Sequence, residues 1–574
     1  MSFPKVNAVI VGSGAGGAVV VKELSQAGLR VVMLERGKHY LPEDARHDVL
    51  RSQYYNSGPL GYGPDIKSNP RTFRLTPDEP ARLVYANEGQ YGAPYGSTAA
   101  AVGGGTVAYG CMSWRFVAKD FRMKTLYGVP EGTTLEDWPI SYEDLEPFYS
   151  KAEWEIGISG QAGANPFDPP RSKPYPLPPL PMDRVGEAFA RGARKLGLHP
   201  FPLPLAILSQ PYDGRPECIR CLYCERFQCE VNAKSGMHAT MIPKALATGN
   251  CELRAECMAR EVVVDERGRA RGVIYFGPDK KLYEQPADLV IISCSATESA
   301  RLLLNSKSRL FPTGLANRHD QVGRSVMHHT GGGGAIGFFV EDTFEPYGPG
   351  FTAGLADYVH GNGAVLGGGV ITTNSEYRQP LAFARTCGWH FGPRPWGKAA
   401  KAFVRKYFRR AVSIGSPGQG MPTESNRVDL DPTVRDAWGL PVVRTTHRVH
   451  PLDIQSSFFL TNRCIEILRA AGAIEELLPK PLTGEDLGRA IKSNQRGGLG
   501  EHQVGGCRMG KDPRGSVLNQ YCQAHDVDNL FVVDGSCFPT IGGFNPALTI
   551  QANAFRVSEF ILRQWKGGSF KLPG

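Results

Sequence analysis

No apolar run in this chain reaches the roughly 18 residues that a membrane-spanning helix needs. The N-terminus enters a strand-like segment, VNAVIV, with no charged, apolar and small-residue leader before it. No direct membrane span is therefore expected. The chain is expected in the cytoplasm, or in the periplasm if a small signal-bearing escort subunit carries it out. Cysteine is sparse, 13 in 574 residues, which excludes a disulfide scaffold and points to thiols that are mostly reduced. There is no HExxH to hold a catalytic zinc and no Ser in a G-x-S-x-G turn, so a zinc protease and a serine hydrolase both lack support. Nor does one charge sign dominate. The 65 basic and 56 acidic residues give +9, spread along the chain, whereas a nucleic-acid partner would call for a concentrated basic face. The densest basic run, KAAKAFVRKYFRR from Lys398 to Arg410, reads as the solvated face of a helix in preference to a dock for an acidic partner or anionic lipid. No internal repeat is visible.

What is present begins with enough apolar residues, 41% of 574, to fill two joined cores. From Val6 the pattern is a buried strand, then Gly12-Ser13-Gly14-Ala15-Gly16-Gly17, an amphipathic helix to about Ala27, and a second apolar strand, RVVMLE, ending at Glu35. This is a dinucleotide-binding βαβ unit in its required context. Gly12 permits the tight turn, Gly14 lets backbone approach a pyrophosphate, and Gly17 allows close helix-to-strand packing. The helix N-terminus offers unpaired N–H groups to the phosphates, and Glu35 accepts from a ribose hydroxyl. The motif alone does not separate FAD from NAD.

Near the other end, GLGEHQVGGCRMG and NLFVVDGSCFPTIGGFNPALTIQANA place His502 and Asn545 in two glycine-punctuated loops. An imidazole titrating near neutrality can take a hydroxyl proton, and an amide can donate to the oxygen left behind. Together they suit oxidation of an alcohol by hydride transfer. A structural loop histidine and a plain turn asparagine are the alternatives.

Several motifs, in order over almost the whole chain, resemble the glucose-methanol-choline (GMC) oxidoreductases, flavoenzymes that oxidise alcohols. The segment GGGTVAYGCMSWRF, Gly103 to Phe116, is similar to the family's glycine-rich loop beside the flavin, and ADLVIISCSATESARLLLNS to its returning strand and helix. VGRSVMHH is similar to VGxNLxDH, with Ser325 and His328 in place of Asn and Asp, and the C-terminal stretch matches HxxGxCRMG and VVDGSxxP. Within the family, WRFVAKDF, EDWPISYEDLEPFY and ESNRVDLDPTVRDAWGLPVVR look most like flavoprotein subunits of bacterial gluconate and fructose dehydrogenases. The resemblance implies an α/β fold: a Rossmann-like FAD-binding domain of the p-hydroxybenzoate-hydroxylase type with an inserted α+β substrate domain built on an antiparallel sheet. It assigns residues 1–40, 91–125, 230–330 and 500–574 to FAD binding. A lid or loop falls at 41–90, a connecting region at 126–229, and the substrate domain at 331–499.

The same resemblance places Gly104 and Thr106 beside the flavin, and Asp534 and Gly535 along its phosphates and ribityl chain. It gives His502 and Asn545 the roles of base and alkoxide partner. FAD is expected to be non-covalent, because Thr106 to Tyr109 reads TVAY and contains no tethering histidine. His328 and His329 follow a hydrophobic run and are expected to support the site without reacting. The expected activity is dehydrogenation of a sugar, sugar acid or glycoside hydroxyl, with electrons passing to a haem or quinone acceptor. An oxidase of the same fold releasing H₂O₂, and an electron-transfer subunit with no substrate of its own, are the alternatives.

Cys218, Cys221, Cys224 and Cys229, in CIRCLYCERFQC, have spacing close to a ferredoxin run and could ligate an iron–sulfur cluster. Ordinary thiols, a local disulfide and a zinc knuckle are the competing readings. Cys111 and Cys507 lie in flavin-side motifs as small apolar fillers. In the substrate domain Tyr358, Trp389, Phe391 and Trp396 could stack on a sugar ring, with ordinary packing as the alternative. The proline-rich run Asn165 to Pro181 is expected to cross a surface without regular structure.

Overall fold

The computed structural model describes residues 2–45, 69–84, 99–363, 365–374, 378, 380, 383–384, 396–494, 496–568 and 570. Its centre is a seven-stranded sheet. Val6–Val11 pairs in parallel with Val31–Leu34 on one side and with Leu282–Ile292 on the other. Cys251–Arg254 adds outside Val31–Leu34, and Leu530–Val532 pairs in parallel with Leu282–Ile292. All four residues of VVML and all three of LFV are buried, as expected of parallel strands covered on both faces. Helix Gly17–Gln26 lies against helix Ala547–Lys566, which also packs on Tyr142–Ile156, so the first and last segments of the chain share one layer. Leu282–Ile292 is long enough, at 11 residues, to continue as an antiparallel meander with Ala270–Phe276 and Met258–Val264.

A second sheet is antiparallel, with Gly333–Phe338, Ala411–Ser416, Ile371–Thr373, Ala353–Leu355 and Phe201–Pro202 in that order. Helices Arg184–Lys195 and Pro451–Ala471 cover it, burying Val185, Phe189, Ile414, Ile465 and Leu468 between them. The long helix starts where Pro451 occupies its first turn and His450 accepts from Leu452 N, and stops at Gly472, whose φ is +98°.

A third, four-stranded sheet joins Arg427–Arg435 and Pro441–Thr446 to Arg71–Arg74 and Arg82–Val84. The stretch expected as lid or loop therefore contributes two strands, while most of its remainder lies outside the described residues. The strand RTFR is rich in charge and does not read as buried, yet Arg71 is almost fully enclosed. It donates to Thr297 Oγ1 (3.2 Å) and Glu298 Oε1 (2.7 Å). Burial opposes the Glu298 charge, but Arg36, Arg71 and Arg301 outweigh it and hold the carboxyl at about 2.

The basic run forms helix Lys398–Tyr407, whose Phe403 and Tyr407 turn inward onto Phe338. Residues 165–181 carry no helix and no strand beyond a single bridge at Leu177. Among the described residues, no helix is long and apolar enough to cross a membrane.

Candidate active site

The N-terminal glycines divide into two kinds. Gly12 has φ +99°, and a Cβ there would lie 2.1 Å from the Ser293 carbonyl oxygen; one at Gly17 would lie 2.1 Å from the Gly12 carbonyl oxygen. Both are demanded by close backbone approach within the fold. At Gly14 the nearest atom to an added Cβ is Gly104 Cα, 4.0 Å away. Gly104, with φ +56°, could not take a Cβ, which would stand 2.8 Å from Gly14 Cα. The two glycine turns therefore meet backbone to backbone. Beside them, helix Gly17–Gln26 opens with neither a side-chain cap nor an acidic residue in its first turn, leaving its positive end for an anion.

Glu35 takes Ser13 N (3.1 Å) and Ser13 Oγ (2.6 Å) on one oxygen and Gly37 N (2.9 Å) on the other. A carboxylate has about four acceptor sites, so room remains for a ribose hydroxyl. Ser13 Oγ also accepts from Gly103 N at 3.0 Å, tying the fingerprint turn to the second glycine turn. Thr106 Oγ1 holds that second turn, donating to Gly103 O (2.6 Å) and accepting from Met237 N (2.8 Å).

Asp534 is buried. It accepts from Ser536 N (2.8 Å) and Ser299 Oγ (2.5 Å), and burial raises its pKa. At Gly535 an added Cβ would lie 2.8 Å from the Gln503 carbonyl oxygen, and its own carbonyl accepts from Gly505 N at 3.0 Å. Asp534 and Gly535 thus join the cofactor-side turn to the His502 loop.

His238, which the sequence did not single out, has its Nδ1 3.2 Å from where a Cβ on Gly103 would stand. Both its ring nitrogens are buried without a partner among the described residues. Burial, reinforced by Lys234, His39 and Arg215, lowers its pKa to about 4. An unserved imidazole, an uncapped helix end and a carboxylate with spare acceptor sites around paired glycine turns fit a bound dinucleotide.

The expected catalytic pair is assembled. Asn545 Nδ2 and His502 Nε2 are 3.2 Å apart, and Trp114 Nε1 donates to Asn545 Oδ1 at 3.0 Å. An indole N–H can only donate, so it orients the amide, oxygen towards Trp114 and NH₂ towards His502. His502 Nε2 is then the lone-pair nitrogen. Burial lowers the His502 pKa, with Glu501 opposing, so the ring is neutral near pH 7 and able to accept a proton. Trp114 lies in the glycine-rich segment's WRF, and only tertiary contact reveals its part.

His329 packs directly on His502. Its ring stands 4.9 Å from that of His502 at 90°, and burial, with His502 adding to it, drives its pKa well down. Behind it the His328 and His447 rings are 5.1 Å apart. Burial brings His328 to about 4 and His447 well below the usual histidine value. Three loops thus supply four neutral imidazoles.

The cysteine run behaves otherwise. Cys218, Cys221, Cys224 and Cys229 are free thiols on a loop with left-handed residues at Arg220, Leu222 and Arg226. Among the described residues, no group of three or more His, Cys, Asp or Glu is placed to hold a metal ion. The iron–sulfur and zinc expectations therefore find no ligand set, and no disulfide joins these four. Burial raises Cys218 to about 11, raises Cys221, and raises Cys224 well above the usual thiol value. The loop still touches the cofactor side, with Arg226 N donating to Ala108 O at 2.7 Å. Of the candidate stacking residues, Tyr358 packs edge-on to Phe459 and Trp396 is 87% exposed. Trp389 and Phe391 lie outside the described residues.

Two models of one family, each described as GMC oxidoreductase, match the chain at residues 7–331 and 422–554. The 2-methyl-1,2-propanediol dehydrogenase of Mycolicibacterium austroafricanum is 32% identical over 98% of this chain and 96% of its own. The gluconate 2-dehydrogenase flavoprotein of Pantoea cypripedii is 28% identical over 99% of this chain and 95% of its own. Formate oxidase of Aspergillus oryzae shares the fold, with a TM-score of 0.65 at 15% identity over 99% of this chain and 100% of that one.

Proposed function

The chain belongs to the GMC oxidoreductases, and on that premise we propose that it is an FAD-dependent dehydrogenase. It oxidises one hydroxyl of a polyhydroxylated substrate, a diol, sugar, sugar acid or glycoside, to a ketone or lactone. The observation that carries this reading is the His502–Asn545–Trp114 arrangement. The names of two relatives, a 1,2-diol dehydrogenase and a gluconate dehydrogenase, support the substrate class.

Glu35 and Ser13 would hold the ribose of FAD, Gly14 and the helix end at Gly17 its pyrophosphate, and the Gly104–Thr106 turn would flank the flavin. With no histidine in TVAY, the attachment is non-covalent. When bound, the flavin supplies the hydride acceptor. His502 Nε2 takes the hydroxyl proton, and Asn545 Nδ2 donates to the same oxygen as negative charge develops on it. Trp114 keeps that amide from turning.

Electrons leave to a haem or quinone acceptor, reached with the help of a small escort subunit. An oxidase would instead release peroxide in air. The test is anaerobic stopped-flow flavin reduction against a panel of diols, sugars and glycosides, repeated with His502→Ala. Substrate-driven bleaching that the variant loses supports the reading. Absence of bleaching with every substrate would leave only a flavin-binding scaffold, and stoichiometric peroxide would move the enzyme to the oxidases.

A further inference from the structure

His329 carries a nitrogen that no group among the described residues serves. Its Nδ1 meets the Gly418 carbonyl oxygen in a short contact, and an oxygen acceptor so placed requires the proton to sit on Nδ1. A neutral imidazole has one N–H, so Nε2 is a bare acceptor. That atom is buried and, among the described residues, has no hydrogen-bond partner.

The tautomer cannot readily invert, because Gly418 is clamped through its neighbour. Gln419 N donates to Gly368 O (2.9 Å), Gln419 O accepts from Gly331 N (2.9 Å), and Gln419 Nε2 donates to Asp120 Oδ1 (3.2 Å). Asp120 is itself held by His360 Nε2 (3.0 Å) and Val117 N (2.9 Å).

Neighbouring polar groups do not meet the need. The Phe544 carbonyl near the ring is another acceptor, and the Asn545 amide is engaged with His502 and Trp114. Unserved buried acceptors are costly and rare, and this one stands beside the catalytic base, its ring 4.9 Å from that of His502. The donor it lacks is one that a substrate would bring.

We propose that His329 Nε2 accepts a hydrogen bond from a second substrate hydroxyl, on the carbon next to the one oxidised, so that the site selects vicinal diols over simple alcohols. Two imidazoles in ring contact can each receive one of two neighbouring hydroxyls, the first at His502 and the second at His329. The inference rests on the reading of His502 as the base for an alcohol.

The experiment measures anaerobic flavin reduction of the FAD-loaded full chain with 1,2-propanediol, 1-propanol and 2-methoxy-1-propanol. The methyl ether keeps the second oxygen as an acceptor, loses its donor and adds one methyl group. In the wild type the diol is expected to exceed 1-propanol in kcat/KM by about 100-fold or more, since sites built around a substrate hydroxyl discriminate strongly against its loss. The ether is expected to fall with 1-propanol. In His329→Leu the ratio of diol to 1-propanol should collapse to within a few-fold, and His329→Asn, which keeps an acceptor, should restore part of it.

Equal wild-type rates for diol and 1-propanol, an ether that reacts like the diol, or a preference that survives in His329→Leu would each overturn the assignment. The ether comparison needs no variant, so it decides even if His329→Leu fails to fold. Failure of the underlying reading looks different: no alcohol reduces the flavin, or His502→Ala reduces it as fast as wild type.

Discussion

Two sets of reactive side chains contrast in this molecule. Cys218 to Cys229 fall within twelve residues of sequence, yet among the described residues they form no ligand set. His329 and His502, with His328 and His447 behind them, come from three distant segments and meet ring to ring. Proximity along the chain brought together no ligand set among the described residues, whereas the packing of distant loops brought four imidazoles together. The histidine loops converge because Leu530–Val532 joins the central sheet beside Leu282–Ile292. Gly505 and Gly535 then let the His502 loop lie directly on the turn that follows. In the cysteine loop only Cys224 is buried outright, and burial raises the pKa of Cys218, Cys221 and Cys224.

The contrast is sharpest at His502. His502→Ala should retain FAD but slow flavin reduction by at least about 100-fold, the low end for losing a general base; near-native reduction in stopped flow would remove His502 from the mechanism. The same residue sets a pH dependence. Its pKa is lowered from the ordinary value near 6.5, and the base must be unprotonated. Thus kcat/KM should hold steady as pH falls through 6.5 and lose about tenfold per unit only below the lowered pKa. An acid limb centred at or above 6.5 in a pH–rate profile would contradict the burial argument.

Trp114→Phe removes the donor that orients Asn545. It should lower kcat by about five- to tenfold with FAD still bound, the cost of roughly one hydrogen bond. An unchanged kcat would mean that the amide needs no such anchor. The smallest effect is expected on the other side of the contrast. Replacing Cys218, Cys221, Cys224 and Cys229 together by Ser should change substrate-driven flavin reduction by no more than about twofold, because the four form no ligand set among the described residues, the cost at buried Cys224 falling on stability. Iron and acid-labile sulfide in anaerobically purified protein should fall well below one cluster per chain, and a stoichiometric cluster would erase the difference between the two regions.

Legibility followed the same division. The βαβ unit was readable because Val6–Val11, the glycine turn, helix Gly17–Gln26 and Val31–Leu34 are local and periodic. Strands Arg71–Arg74 and Arg82–Val84 were not, because Arg71 is satisfied by Glu298 and Arg74 by Thr446, both far along the chain. His502 and Asn545 stood out by residue type and glycine setting. Trp114, His238 and His329 did not, since what marks them is a contact or an unserved nitrogen in three dimensions.

From the sequence came the N-terminal βαβ unit, the identity of the two polar groups in the C-terminal loops, and the family to which the chain belongs. Those properties reside in local backbone demands and side-chain chemistry. Tertiary structure alone decided which way the Asn545 amide faces, which nitrogen of His329 is left bare, and that the four neighbouring cysteines form no metal ligand set among the described residues. Hydrogen-bond direction and spatial convergence depend on partners brought together by packing, and spacing along a chain does not encode them.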